Sequence, residues 1–144
     1  MNISEIFIAG DHSSLELKSS CKEFLESLGY KVTDLGTNSD ESVDYPDFAY
    51  TLTQKIKSVK NSYGVLICGT GIGISIAANR DKFIRCALCH DEFTAKMARE
   101  HNDANVLAFG ARVLDRKMAK KLCEIFFSTE FAGGRHERRV KKLS

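Results

Sequence analysis

Residues 63–79 read YGVLICGTGIGISIAAN: an apolar run closing on Cys68, then glycines at Gly69, Gly71 and Gly73, then a second apolar stretch rich in alanine. Strand, glycine turn and helix start is the order in which backbone N–H groups converge on an anion. The turn also carries a thiol, Cys68, and a hydroxyl, Thr70. Together these groups suit a phosphate or an enolate held beside its own nucleophile or base. A cysteine ending a buried strand commonly serves as a small hydrophobe. Beside a glycine loop and a helix start, however, a thiol is favoured as thiolate.

Two other apolar runs end in chemistry-bearing residues, Gly10-Asp11-His12 and Gly110-Ala111-Arg112. If those runs are parallel strands, their carboxyl ends share one edge with Cys68. The segment GGRHERR, from Gly133 to Arg139, puts Arg135 and Arg139 four residues apart, on one face of a helix, where they could clamp a phosphate. His101, Asn102 and Asp103 form a polar turn of the kind closed by side-chain hydrogen bonds.

Competing motifs are weaker. Gly71 and Gly73 start a G-x-G-x-x-G dinucleotide fingerprint, but Ile76 stands at the third glycine. A Walker loop would need a lysine where the chain has Ile74. Cys86, Cys89 and His90 imitate a redox or metal site, yet they fall in a strand-like run, where residues three apart face opposite ways. Those two cysteines read as structural, Cys21 and Cys123 as helix core, and no Cys/His spacing suits zinc. No metal and no cofactor are expected.

The elements that must position these groups alternate along the chain. Strand-like runs occupy 3–9, 31–35, 63–68, 84–89 and 106–109. Leu17, Cys21, Phe24, Leu25 and Leu28 fall on one helical face, with Gly29 closing the helix. Pro46 suits the first turn of a second helix that lines up Phe48, Leu52, Ile56 and Val59. Asp91 and Asp115 are N-cap residues for two later helices. The pattern predicts a three-layer α/β/α, Rossmann-like fold around a five-stranded, mainly parallel sheet, with ligands beyond the carboxyl ends of the strands.

At 144 residues the chain fits one domain. With 43% hydrophobic and 28% charged residues it has a globular composition, and no apolar run nears the ~18 residues that span a bilayer. The start, MNISEIFIAGDH, lacks the features of a secretory signal, and five cysteines are an odd number for a disulfide framework. A cytoplasmic protein with free thiols is expected. Net charge is +2, but residues 135–144 hold five Lys/Arg against one acid, so the body is net −2. That body lacks the charge signature of a nucleic-acid binder, and only the tail, about 133–144, is basic.

Five blocks in order carry a resemblance: GDH at 10–12, DYP at 44–46, CGTGIGISIAAN at 68–79, HNDANVLAFGAR at 101–112 and GGRHERRV at 133–140. They span nearly the whole chain, which resembles the type B ribose-5-phosphate isomerases and their allose- and galactose-phosphate relatives. The resemblance implies metal-free interconversion of ribose 5-phosphate and ribulose 5-phosphate. A six-carbon phosphosugar isomerase and a non-catalytic sugar-phosphate-binding subunit are the alternatives. It implies Cys68 as the base, Thr70 and the amides of Gly69, Gly71 and Gly73 around the enediolate, and Asp11 and His101 in ring opening. His12, Arg112, Arg135 and Arg139 would bind phosphate, with Tyr45 and Asn102 along the sugar. One branch of the family carries a glutamate base where this chain has Ile74, so the chain resembles the cysteine branch.

The resemblance also implies a homodimer or a dimer of dimers. Helix 91–100 should return the chain to the sheet edge opposite Cys68, at ~1.5 Å per residue a span of about 15 Å. His101 and Asn102 should then serve the Cys68 of another subunit, together with the tail arginines.

Overall fold

The computed structural model of the chain describes residues 1–144. Five strands alternate with helices: β1 (Glu5–Gly10), α1 (Leu15–Ser27), β2 (Val32–Asp34), α2 (Tyr45–Ser58), β3 (Ser62–Cys68), α3 (Ile72–Ala78), β4 (Cys86–Leu88), α4 (Glu92–Glu100), β5 (Val106–Gly110), α5 (Arg116–Ser128) and α6 (Arg135–Lys141). The sheet order is β2-β1-β3-β5-β4 and every pairing is parallel. The expected α/β/α fold is therefore present, with a wholly parallel sheet. From β1 the chain goes to one side for β2 and to the other for β3, which opens a crevice at their carboxyl ends. None of the helices is long and apolar enough to cross a membrane.

Helices on both faces explain the nearly continuous apolar strands. Ile6, Ile8, Val65, Ile67, Leu107 and Phe109 pack on one face with residues of α1, α4 and α5. Their alternating neighbours Phe7, Ala9, Leu66 and Ala108 pack on the other face with α2 and α3. Cys86 and Cys89 join opposite cores, as period-2 alternation requires. Burial pushes the Cys89 thiol up to about 11, against a hydrogen bond with Thr94, and burial first and Cys89 second raise the thiol of Cys86 further.

Helix ends follow the sequence signals. Asp91 accepts from Thr94 N–H at 2.8 Å within a capping box, and Asp115 accepts from Met118 N–H at 2.8 Å. Two strands are shorter than expected. The run 31–35 keeps only Val32–Asp34 and the run 84–89 only Cys86–Leu88. In the second case Ile84 N–H closes a turn on Asp81. The side chain of Asn79 then takes both backbone groups of Cys86, its Nδ2 donating to the carbonyl at 2.9 Å and its Oδ1 accepting from N–H at 2.7 Å.

The inner face of α1 also differs from expectation. Leu28, at the helix end, is 48% exposed, whereas Lys18 is 2% exposed. Lys18 Nζ reaches Asp34 Oδ2 at 2.5 Å and Asn38 Oδ1 at 2.8 Å, and Asp34 Oδ1 accepts from Gly36 N–H at 2.8 Å. A buried ammonium is tolerated only with such partners, and here they tie the loop after β2 to α1. Replacing Lys18 with Met should cost about 3–5 kcal/mol in urea denaturation, because the Asp34 carboxylate loses its counter-charge while still half-enclosed. A loss under about 1 kcal/mol would mean that water serves Asp34 equally well.

Candidate active site

Three central strands deliver their exits to one place. Cys68 is the last residue of β3 and pairs with Gly110, the last residue of β5. Ala111 N–H donates to the Cys68 carbonyl at 2.8 Å and Arg112 N–H to the Gly69 carbonyl at 2.9 Å, which lashes the two exits together. The Arg112 guanidinium lies over Gly69, so close that a Cβ there would sit 3.0 Å from its Nη1. From β1, Asp11 N–H donates to the Ile67 carbonyl at 3.2 Å. Its buried carboxylate is aimed by Ser13, through N–H at 3.0 Å and Oγ at 2.6 Å. His12 Nδ1 accepts from Val43 N–H at 3.2 Å, which leaves Nε2 to carry a proton and donate.

The glycine loop is shaped around sulfur. Gly71 N–H donates to Cys68 Sγ at 3.2 Å, so this amide, expected at a bound anion, is occupied by the thiol. Thr70 Oγ1 accepts from Ile72 N–H at 3.2 Å, and its own O–H remains free to donate. Gly71 has φ +80°, and a Cβ on it would lie 2.7 Å from the Phe109 backbone. Gly73 instead faces the tip of Tyr45, the first residue of α2; a Cβ there would meet the ring at 2.5 Å. Ile74 is fully buried among the α2–α3 core and offers no group for proton transfer.

Asp11, His12, Tyr45, Cys68, Gly69, Thr70, Gly71, Gly73 and Arg112 thus share the carboxyl edge. His101, Asn102, Arg135 and Arg139 do not. Along β3 and β5 the register runs from Gly64 beside Val106 to Cys68 beside Gly110, four residues or about 13 Å. His101 caps α4 beyond the amino end of that path. It stacks on His136, ring centroids 4.2 Å apart and 15° from parallel. Arg135 and Arg139 flank His136 one turn apart on α6. Lost hydration foremost, then facing His101, Arg135 and Arg139, hold the His136 imidazole below its ordinary value, with Glu100 opposing.

The larger surface clefts lie elsewhere, one of ~750 Å³ beside Phe24, Glu92 and α5, another of ~470 Å³ at the amino ends of β3 and β5. His136 lies between Arg135 and Arg139, and that position was its one signal in the sequence. For Lys18 the available signal was a lysine beside the apolar stripe of α1.

A parallel α/β sheet whose switch-point edge joins a thiol, a carboxylate, an imidazole and a guanidinium around a glycine loop is equipped for proton transfer on an anionic substrate. The chain belongs to the Ribose/Galactose Isomerase family, whose sequence pattern it matches over residues 6–143. It is 39% identical to ribose-5-phosphate isomerase B of Escherichia coli, over 99% of this chain and 95% of that one. Ribose 5-phosphate isomerase B of Anaplasma phagocytophilum superposes with a TM-score of 0.94 at 47% identity, covering 100% of this chain and 99% of that one. The Mycoplasma genitalium enzyme of the same name, solved with bound ribulose-5-phosphate, gives 0.94 at 42% identity, over 99% and 95%.

The two loop glycines should respond differently to a methyl group. Gly71→Ala forces a left-handed backbone and a collision with the Phe109 main chain, and should cost about 2–4 kcal/mol. Gly73→Ala meets only the movable end of Tyr45, and should cost under about 1 kcal/mol. Urea denaturation of both variants checks the contrast; equal losses would contradict it.

Proposed function

We propose that the protein interconverts ribose 5-phosphate and ribulose 5-phosphate through an enediolate, with Cys68 as the base. The observation that carries this reading is the placement of Cys68 Sγ, pinned by Gly71 N–H in the crevice that Asp11, His12 and Arg112 also face. The family and the similarity to ribose-5-phosphate isomerases B support the substrate.

In this reading Asp11 and His101 open the sugar ring by moving a proton between hydroxyl and ring oxygen. The Cys68 thiolate takes the proton from C2 of the aldose and returns it to C1, while a proton passes from O2 to O1. Thr70 O–H and the loop amides not engaged by sulfur meet the oxyanion where its charge develops. His12 Nε2–H and Arg112 hold the phosphate, and Tyr45 lines the sugar. Fixing the phosphate fixes the reacting carbons, so binding energy remote from the reaction contributes to the rate.

His101, Asn102, Arg135 and Arg139 act on the Cys68 of a second copy of the chain. What supports this is the sheet geometry: within one chain they and Cys68 are at opposite edges. A two-fold dimer, alone or within a dimer of dimers, gives two equivalent composite sites.

Cys68→Ala should fold normally and lose about 10²–10⁴-fold in kcat, with phosphosugar binding largely kept. Turnover near wild type in a coupled assay with ribose 5-phosphate would remove Cys68 from the reaction. The shared site has its own test. Cys68→Ala and His101→Ala chains, refolded together, should regain up to about a quarter of wild-type activity, since half the dimers are mixed and each carries one intact site. No recovery despite proven subunit exchange would mean that each site is complete within one chain.

A further inference from the structure

Arg99 is among the largest fully buried side chains of the molecule, 2% exposed, and the reaction above gives it no role. It leaves the last turn of α4 and runs inward, its guanidinium 5.5 Å from the Tyr63 ring centroid and 5.8 Å from that of Phe126. A cation in such apolar surroundings is tolerated only when its donors are satisfied. The donors of Arg99 go to two separate stretches of chain. Nη1 donates to Asp103 Oδ1 at 2.8 Å and to the Ala104 carbonyl at 2.6 Å, in the turn that follows His101 and Asn102. Nε donates to the Thr129 carbonyl at 3.1 Å, where α5 ends and the tail begins.

Neighbouring bonds complete the joint. Ala132 N–H donates to the Glu100 carbonyl at 3.1 Å, tying the tail to α4 a second time. Arg85 grips the turn from the other side, Nε donating to the carbonyls of Asn102 and Asp103, both at 3.0 Å. Asp103 has φ +46°, a backbone that needs such support in a residue with a side chain. Above the joint His101 stacks on His136. The planar fork of a guanidinium can serve two segments at once, which the point charge of a lysine cannot.

We infer that Arg99 is a positioning residue that locks the His101–Asn102 turn and the Arg135–Arg139 tail into one rigid unit. Resting on the two-chain reading above, this unit is what one copy presents to the Cys68 of the other. The two segments carry different duties, ring opening and phosphate binding, and Arg99 fixes the distance between them.

The test uses the full chain with Arg99→Met, which keeps the packing between Tyr63 and Phe126 and removes the fork, and Arg99→Lys, which keeps the buried charge. Hydrogen exchange followed by segment should quicken at least about tenfold in residues 101–105 and 129–139 together, with β1, β3 and the glycine loop unchanged. The dissociation constant for inorganic phosphate should rise about tenfold or more, and kcat should fall along with a rise in KM, because the arginines and His101 are misplaced jointly. Arg99→Lys should show the same paired pattern to a smaller degree, which covers the case in which the Met variant fails to fold. Loosening of one segment alone would overturn the proposal. So would exchange quickened across the whole chain with phosphate affinity and KM at wild-type values, the mark of a residue that serves stability only. The mixing experiment separates this from the two-chain reading. Paired loosening without recovery of activity on mixing sinks that reading and leaves the lock in place; recovery with unpaired loosening sinks the lock alone.

Discussion

A wholly parallel sheet gives the chain a direction that every functional residue must obey. Each strand is entered from the same edge, so each helix has to carry the chain back across the sheet. Residues at strand exits therefore gather at one edge and residues at helix exits at the other. The order β2-β1-β3-β5-β4 sharpens this, because the three central strands are the ones whose exits bear Asp11, Cys68 and Arg112. Those side chains are neighbours by virtue of pairing, with no dependence on long loops. The same rule confines His101 and Asn102, which follow α4, to the opposite edge. Side chains from the two kinds of exit are kept apart by the length of the strands, and a site that used both would need two sheets.

Loops at the two edges are held by similar means. Lys18 and Arg99 are both almost fully buried, and both have their donors satisfied by loop groups. Lys18 serves the carboxyl edge, through Asp34 and Asn38, on the loop that leads to Val43 and so to His12. Arg99 serves the amino edge. In each case a desolvated cation converts a flexible connection into a fixed one, because any departure of the loop would strand the charge.

The strongest sequence signals were local ones. Helix caps at Asp91 and Asp115, the left-handed close at Gly29 and the apolar strands all depend on near neighbours, and the fold they imply is the one observed. The strand, glycine turn and helix start around Cys68 were legible, but the engagement of Gly71 N–H by Cys68 was not, since it depends on how tightly the turn closes. Lys18 and Leu28 exchanged their expected places because hydrophobicity alone ranks them wrongly when a carboxylate waits inside and the helix ends at the surface. The pairing of His101 with His136 joins residues 35 positions apart, and no periodicity reports it. Sheet polarity was the exception among long-range features, since counting crossovers was enough to separate His101 from Cys68.

Asn79 closes the glycine-loop segment, and its side-chain amide does for β4 what another strand would do. By accepting from the Cys86 N–H and donating to the Cys86 carbonyl, it occupies the hydrogen-bonding groups of the first residue of a three-residue edge strand. An open edge is a template for any extended peptide, and unguarded ones lead to runaway sheet growth. The start of this edge is covered by a residue of the turn-and-helix unit that follows Cys68, so the segment that forms the glycine loop also blunts a sheet edge. What that unit leaves open to its surroundings is side chain, the half-exposed Ile72 and Ile76 of α3, while its Asn79 amide is spent on the main chain of β4.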